Sequence, residues 1–288
     1  MVDTTDSRTP FGTYAPSPFQ SLLMAVGHRM PSTWLGRRVA SLIRSVLKRW
    51  SERPVDAVRL GSRMRLHANG NASEKRLMTS PQFFDPAELA VLETALTPGF
   101  VFVDIGANAG AYTLFVAHRV GSSGKVLAVE PHPTARQRLQ CNLDLNGIDW
   151  VTIAPVAIAD GQGVLSLFIN DRNIGSSSLN ADPEPEVAKR SIQVPCRTLL
   201  SLIQEEGIDR IDAIKVDVEG VEDRVLVPFF TNAPPDLWPH LLLIENNRSA
   251  WKDDLPAVLQ RSGYVTVVAN GSNLVLRREI PSLRNGAA

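Results

Sequence analysis

The stretch FVFVDIGANAG, residues 100–110, decides the fold of this chain. An apolar run of strand length leads into two glycines, and residues 112–120 have helical character, so a strand, a tight turn and a helix are predicted in succession. Gly106 and Gly110 leave room for a ligand to approach the backbone. Their G-x-x-x-G spacing differs from the G-x-G-x-x-G of dinucleotide sites, which favours a ligand without phosphates, held by Asp104. A glycine turn that binds no ligand is the alternative.

Apolar strands and helices alternate after this stretch. The further strands that the sequence predicts lie at 125–131, 151–159, 212–220 and 240–247. Continuous apolar runs are typical of buried parallel strands, and their alternation with helices predicts a sheet with helices on both faces. The last two apolar runs, YVTVVAN and NLVLRRE, meet at Asn270-Gly271, which predicts a terminal antiparallel hairpin. We therefore expect an α/β, Rossmann-like fold with a mostly parallel sheet.

Two features lie outside this alternation. Residues 165–170 and 191–196 read as an extra pair of strands, and they flank a polar stretch at 171–190. That stretch is too polar for a core and is a candidate substrate loop, because function concentrates in long loops on a rigid scaffold. Upstream of the first strand, Asp85 and Pro86 predict the capped N-terminus of a helix.

The overall composition limits the classes of function. The 288 residues carry 30 Lys or Arg and 30 Asp or Glu, so the formal net charge is zero and charge-driven binding of nucleic acid is not expected. Cys141 and Cys196 lie far apart, which fits a reducing compartment and no disulfide framework. The first residues lack the pattern of a secretory signal, and no apolar run approaches the ~20 residues that span a bilayer. We expect a soluble, cytoplasmic protein, and the sequence leaves its oligomeric state open.

The first 80 residues differ from the rest. Residues 1–20 are rich in Ser, Thr and Pro and predict a disordered tail, and residues 21–80 predict a helical or irregular extension. Within it, residues 34–53 combine helical periodicity with many arginines. The simplest interpretation is a helix packed on the main domain with a solvated basic face, and the alternative is weak contact with a membrane surface or a lipid-linked substrate. The main domain is expected at 81–280, followed by a tail at 281–288.

Acidic side chains stand at the ends of the second and fourth predicted strands. At the first of these ends, Glu130 could accept hydrogen bonds from both hydroxyls of a ribose. Asp217 and Glu219 end the fourth strand, where a carboxylate could orient an amino group or act as a base. Strand alternation predicts both on the same side as Lys215, so an internal charge pair is the structural interpretation of this segment.

The fifth strand ends in Glu245 and Asn246, at the expected mouth of the pocket. Together with Asp217 they could hold a divalent cation, because hard cations take oxygen ligands. The spacing does not demand a metal, so a metal-free site is preferred. A loop start with no function is the remaining alternative.

These segments together resemble the FkbM family of methyltransferases, over about Glu74 to Glu279. The pieces that carry the resemblance are VDIGANAGAYTL (103–114), VEPHP (129–133), PVAIAD (155–160), GSSSL (175–179), VPCRTLLSLI (194–203) and IKVDVEGVE (214–222). The resemblance implies a Rossmann-like class I methyltransferase fold over residues 81–280. It also implies transfer of a methyl group from S-adenosylmethionine, commonly to oxygen on sugars or secondary metabolites. Leu199 stands where the family often has an acidic residue.

The resemblance implies roles for particular residues. The residues at the methionine end of the cofactor would be Asp104, Gly106, Asn108 and Gly110, with Glu130 at the ribose, Ala157 and Ile158 at the adenine, and Asp217 at the amino group or the reacting centre. For a sugar hydroxyl, the first candidates for the catalytic base are Asp217 and Glu219, and His132 is the second. Tyr112 and Asn246 are candidates for positioning the acceptor.

By family analogy the acceptor is expected to be a small molecule or a glycan or glycolipid. Two other functions stay open. One is a domain that binds S-adenosylmethionine without catalysis. The other is a nucleotide-dependent oxidoreductase, which shares the combination of a glycine loop and an acidic strand end.

Overall fold

The fold is taken from a computed structural model. The structure describes residues 8–50, 53–170, 172–179 and 190–279, with only the backbone described for residues 48–50. The predicted tail at 281–288 therefore lies outside the described residues.

Within the described residues, helices and strands alternate through most of the chain. The helices are α1 (Pro18–His28), α2 (Trp34–Trp50), α3 (Ala72–Thr79), α4 (Pro86–Ala95), α5 (Ala111–Val120), α6 (Pro133–Asp144), α7 (Leu199–Glu205), α8 (Glu222–Asn232) and α9 (Leu255–Arg261). The strands are β1 (Val55–Arg59), β2 (Ser62–Leu66), β3 (Val101–Ile105), β4 (Lys125–Val129), β5 (Val151–Ala154), β6 (Ala157–Ile158), β7 (Gly163–Phe168), β8 (Ser191–Arg197), β9 (Ala213–Val216), β10 (Leu241–Glu245), β11 (Tyr264–Ala269) and β12 (Asn273–Arg278).

The central sheet has seven strands in the order β11-β12-β10-β9-β3-β4-β5. The five strands from β10 to β5 are parallel, whereas β12 is antiparallel to both β10 and β11. This confirms the predicted Rossmann-like class I methyltransferase fold, including the terminal antiparallel hairpin. The chain passes from β3 outward to β5 and later returns to β9 on the other side of β3. The strand order thus reverses at β3, where a crevice opens beyond the carboxyl ends of the strands.

Alternate side chains of the central strands enter two different apolar cores. On β3, Phe102 packs into the core that includes residues of α4, α5 and α6, and Val103 and Ile105 pack into the core that includes residues of α7, α8 and α9. Because side chains two apart share a face, Asp104 lies on the same face as Phe102. Lys215 is its register partner on β9. The sheet is therefore covered on both faces, and two buried charges lie side by side within it.

The predicted third strand, 151–159, is divided in the structure. Its first part is β5 of the central sheet, but Ala157 and Ile158 form β6, which pairs with β8 in a separate sheet of order β6-β8-β7. The residue after β5 is Pro155, which has no N–H to continue the ladder. The predicted extra pair of strands is found as the antiparallel pair β7 and β8.

The N-terminal extension is more ordered than the sequence predicts. The main-chain N–H groups of Gly12 and Tyr14 donate to Asp56 Oδ2 at 2.8 and 3.2 Å, and α1 begins at Pro18 with Ser17 as its N-cap. The prediction of a disordered tail over residues 1–20 is therefore wrong from residue 8 onward. Ser17 and Pro18 are typical of a helix N-terminus, where serine caps the helix and proline is its first residue.

The rest of the extension forms one packed unit. β1 and β2 form an antiparallel hairpin, and α3 packs against α1 and α2. α4 begins at Pro86 as predicted, but the side chain of Asp85 does not cap it. Asp85 has a φ of 43°, and its Oδ2 accepts a hydrogen bond from the Tyr112 hydroxyl at 3.0 Å instead. None of the described helices is both long enough and apolar enough to cross a bilayer.

Candidate functional site

A cavity of about 280 Å³ lies at the carboxyl ends of β3, β4 and β9. Of the residues for which the sequence predicts a role in binding or catalysis, those that line it are Asp104, Gly106, Asn108, Tyr112, Glu130, His132, Ala157, Ile158, Asp217, Glu219 and Glu245. The fold thus brings together residues that are more than 100 positions apart in the chain. Gly110 does not line the cavity.

The two glycines of the turn are required for steric reasons. A Cβ at Gly106 would lie 1.9 Å from the main-chain oxygen of Asp217, and φ at this glycine is +79°. A Cβ at Gly110 would approach Cδ1, the movable end of the Leu139 side chain, so the φ of +90° is the stronger reason for glycine there. Gly106 therefore allows the turn after β3 to approach the end of β9. Gly110 instead allows α5 to begin close to α6, which differs from the predicted contact with a ligand.

Glu130 follows β4 and is buried. Its Oε2 accepts from the main-chain N–H of Asn108 at 2.7 Å, and its Oε1 accepts from that of His132 at 2.8 Å. Burial raises the pKa of the Glu130 carboxyl to about 7, against the lowering effect of these two hydrogen bonds. Since each carboxylate oxygen has two lone-pair sites, both oxygens keep capacity for further donors. Glu130 thus links the glycine turn to β4 while it faces the cavity.

Lys215 forms the predicted charge pair with Asp217. Its Nζ lies 2.9 Å from Asp217 Oδ2 and 5.0 Å from the centroid of the Tyr112 ring. Burial opposes the charged form of Lys215, but Asp217 and Asp104 outweigh it and raise the pKa of this amine. The second carboxylate, Asp104, is buried, and its Oδ2 accepts from the Thr113 hydroxyl at 2.6 Å. Its Oδ1 has no hydrogen-bond partner among the described residues.

A cluster of carboxylates occupies the end of the cavity beside Asp217. Burial raises the pKa of Glu219 to about 7, and the neighbouring Asp217 and Glu222 add to this shift. Burial also raises the pKa of Glu245, again with a contribution from Asp217. One oxygen each of Asp217, Glu219 and Glu245 lies within 4.8 Å of the others, as in a possible cation site. The sequence alternative for a cation site combined Asp217 and Glu245 with Asn246. In the structure Asn246 does not line the cavity, and Glu219 is the third member of the group instead.

The cavity lining is strongly acidic. Among the described residues it contains seven carboxylates and only two Lys or Arg side chains, Arg76 and Lys215. The carboxylates are Glu74, Asp85, Asp104, Glu130, Asp217, Glu219 and Glu245. The carboxylates that are ionised favour a cationic group over a pyrophosphate.

The N-terminal extension supplies one wall of the cavity, which the sequence did not predict. Asn71 donates from Nδ2 to Asn108 Oδ1 at 2.6 Å, and its own Oδ1 caps α3 by accepting from the N–H groups of Ser73 and Glu74. Glu74, which is buried, pairs with Arg138 of α6 at 2.5 Å. Asn71 stands at an N-cap position, but no pattern in the sequence pairs it with the glycine turn.

The polar stretch predicted as a substrate loop lies partly on the cavity. Asn173, Ile174, Gly175, Ser177 and Leu179 line it. Asn173 Oδ1 also accepts from the N–H of Ala72, which joins this loop to the extension. Residues 171 and 180–189 of the stretch lie outside the described residues.

The sequence also named His132 as a base and Tyr112 and Asn246 as residues that position the acceptor. His132 lines the cavity, but its Nδ1 caps α6 by accepting from the N–H groups of Thr134 and Ala135. Tyr112 lines the cavity and donates to Asp85. Asn246 is bonded through its main-chain N–H to the oxygen of Ser272. His132 is thus engaged as a helix cap, which weakens its candidacy as a base.

Comparison with known proteins gives a consistent result. The model of the methyltransferase FkbM domain family matches residues 104–259. The methyltransferase sdnD of Sordaria araneosa is 30% identical over 151 residues, which cover 43% of this chain and 58% of that protein. The AMB antimetabolite synthetase AmbE of Pseudomonas aeruginosa is 27% identical over 205 residues, which cover 59% of this chain and 10% of that protein. This chain thus spans between a tenth and three fifths of the length of these relatives.

Among solved structures, the methyltransferase FkbM of Methylobacillus flagellatus KT is similar at 16% identity with a TM-score of 0.42. The match covers 83% of this chain and 60% of that one.

Proposed function

This chain belongs to the FkbM methyltransferase family, and we propose that it transfers a methyl group from S-adenosylmethionine to a hydroxyl of a sugar or a secondary metabolite. The observation that carries the proposal is the acidic cavity at the point where the strand order reverses. S-adenosylmethionine has a sulfonium, an ammonium and a carboxylate group, so it is a net cation, and it has no phosphate. Its net positive charge therefore suits a lining in which acidic side chains outnumber basic ones, whereas the pyrophosphate of a dinucleotide does not.

The residues of the cavity fit this cofactor. Asp104 keeps one buried carboxylate oxygen without a hydrogen-bond partner among the described residues, and Asp217 is held beside it by Lys215. Either carboxylate would hold the cofactor ammonium. Glu130 would hold the ribose hydroxyls with the lone pairs that Asn108 and His132 leave open. Ala157 and Ile158, which are both buried at the cavity wall, would cover the adenine.

The carboxylate cluster supplies a base for the acceptor. The sulfonium carries a methyl group that is already activated, so the protein has mainly to orient the acceptor and exclude water. A hydroxyl must also lose its proton as the new carbon–oxygen bond forms. Glu219, with its pKa raised to about 7, is suited to take that proton near neutral pH. Asp217 is the second candidate, but its bond to Lys215 restrains it.

The two other functions are less well supported. A nucleotide-dependent oxidoreductase would bring a pyrophosphate against the carboxylates of the cavity. A domain that only binds S-adenosylmethionine would not need a second group of carboxylates beyond the one that holds the cofactor. Glu219 and Glu245 are therefore the features that favour catalysis over binding alone.

Calorimetric titration with S-adenosylhomocysteine and, separately, with NAD tests the cofactor. We expect S-adenosylhomocysteine to bind and NAD not to bind. Glu130→Ala should weaken binding of S-adenosylhomocysteine by about 1.5–3 kcal/mol for each charge-assisted hydrogen bond lost. The exposed Glu93→Ala on α4 serves as the control and should leave binding unchanged. Binding of NAD, or of neither ligand, would contradict the proposal.

Transfer of an isotopically labelled methyl group to a panel of mono- and oligosaccharides tests the reaction. Glu219→Gln should lower kcat while leaving the affinity for S-adenosylhomocysteine nearly unchanged, because it removes the base and not the cofactor site. If Glu219→Gln instead abolishes cofactor binding, Glu219 belongs to the cofactor site and the base is a different residue.

A further inference from the structure

We infer that α1 and α2 form a surface that docks on an anionic phospholipid bilayer. This inference does not rest on the proposed function, because the residues that carry it lie outside the cavity. It starts from the distribution of exposed apolar side chains. Of the eleven large apolar side chains that are exposed in the described chain, seven lie on these two helices, namely Phe19, Leu22, Val26, Trp34, Leu35, Leu42 and Val46.

These side chains are arranged in stripes. On α2, Leu35, Leu42 and Val46 are separated by seven and four residues, which places them on one face of the helix. The buried residues Ala40, Ile43 and Leu47 occupy a different face, so the exposed stripe is not the one that packs on the protein. On α1, residues 19, 22 and 26 likewise share one face. The two helices contact each other, so both stripes belong to one helical hairpin.

The positive charge of this region favours an anionic partner. Between residues 7 and 51 the sequence has no Asp or Glu and seven basic residues, Arg8, Arg29, Arg37, Arg38, Arg44, Lys48 and Arg49. The whole chain has a net charge of zero, so this segment is a concentrated positive region. Among the described residues, no carboxylate forms an ion pair with Arg29, Arg37 or Arg38.

An anionic bilayer matches both properties. Amphipathic helices with basic residues and Trp or Leu side chains lie in the bilayer interface, where the apolar face is buried and the basic groups meet anionic headgroups. Trp34 is 70% exposed, with the Arg38 guanidinium 5.2 Å from its ring. A second copy of this chain fits less well, because a symmetric contact would bring two positive regions together.

The surface is connected to the cavity by α3. This helix packs against α1 and α2, and its first residues, 72–74, line the cavity. Its eight residues span about 12 Å, so the docking surface lies roughly one short helix away from the cavity.

Flotation of the full chain with phospholipid vesicles tests the inference. The protein should float with phosphatidylcholine vesicles that contain phosphatidylglycerol, and much less with pure phosphatidylcholine. Binding should fall as salt is raised, because salt screens the attraction. Arg37→Gln combined with Arg38→Gln should weaken binding about thirtyfold, from the contribution that each basic residue makes near an anionic surface. Leu35→Ser combined with Leu42→Ser should weaken it at constant charge.

Matched controls use exposed positions on other elements. Val164→Ser on β7, and Arg248→Gln combined with Arg261→Gln, should leave vesicle binding unchanged. Each variant is first checked by its affinity for S-adenosylhomocysteine, which none of them should alter if the protein binds it. Failure to float with anionic vesicles overturns the inference. So does equal binding by all variants, or a dimer in light scattering that only the Leu35 and Leu42 variants dissociate.

Discussion

Lys215 and Asp217, two residues apart at the end of β9, form an ion pair of 2.9 Å inside the cavity, beside the buried Asp104. The buried lysine interacts electrostatically with both carboxylates. It keeps two negative charges close together where a cationic ligand is expected. Replacement of Lys215 by a neutral residue would therefore leave Asp104 and Asp217 without their shared positive charge.

Lys215→Met should lower the free energy of unfolding by about 2 kcal/mol. Removal of one partner of a fully buried pair costs about 3–5 kcal/mol, and the lower figure allows for Asp217, whose side chain is 42% exposed. Chemical denaturation measures the effect, with the exposed Lys252→Met as control. Equal stability of Lys215→Met and the wild type would show that Asp104 and Asp217 do not depend on this cation.

Gly106→Ala should disrupt the turn between β3 and α5. The added Cβ would lie 1.9 Å from the main-chain oxygen of Asp217, at a backbone φ of +79° that only glycine adopts easily. We expect a loss of at least about 2 kcal/mol in the free energy of unfolding and the loss of cofactor binding. Gly161→Ala is the matched control, because a Cβ there meets no atom within 4 Å. Thermal unfolding and calorimetry would decide, and similar behaviour of both variants would refute the steric argument.

Glu219 should make stability depend on pH in a defined window. Its carboxyl has an ordinary pKa of 4.5, which burial raises to about 7 in the folded protein. Between these values the folded state holds a proton that the unfolded state has released, so the free energy of unfolding falls as pH rises through this window. Glu219→Gln has no carboxyl to titrate at this position. Its free energy of unfolding should therefore rise relative to that of the wild type as pH increases from about 4.5 to 7. Parallel stability curves would contradict the raised pKa.

Asn71 should contribute in two separable ways. Asn71→Asp keeps the oxygen that caps α3 but loses the donor to Asn108, whereas Asn71→Ala loses both. The cap is worth about 1 kcal/mol, so only the alanine variant should show that loss in denaturation. Both variants should weaken binding of S-adenosylhomocysteine, since both release the glycine turn from the extension. Unchanged binding in both would mean that the turn is rigid without Asn71.

The sequence predicted correctly those features that depend on the local pattern of a single strand and on the edge of the sheet at which that strand ends. The strand before Gly106, the carboxylate at Glu130 and the pairing of Lys215 with Asp217 follow from periodicity and from the rule that parallel strands end at one edge. The division of 151–159 was missed because the apolar run continues through Pro155, although this residue breaks the ladder. Apolar character alone does not reveal where a run changes sheets.

Other features depend on contacts between distant segments. Asp85 stands before Pro86, as a helix cap would, yet its side chain bonds to Tyr112 because the backbone at Asp85 turns left-handed. Asn71 meets Asn108 only after the extension has folded onto the domain. Such partners leave no periodicity, so they could not be predicted from spacing. Gly110 shows the converse, because its place in a familiar motif predicted a ligand contact and the structure shows a helix contact instead.

The wall that the extension contributes has a consequence for protein engineering. The region matched by the family model begins at residue 104, but Ala72, Ser73 and Glu74 line the cavity from outside that region. A chimera that exchanged only the shared region between relatives would combine one protein's glycine turn with another protein's cavity wall. Transfer of acceptor preference would therefore require residues from about 71 onward to move as one block.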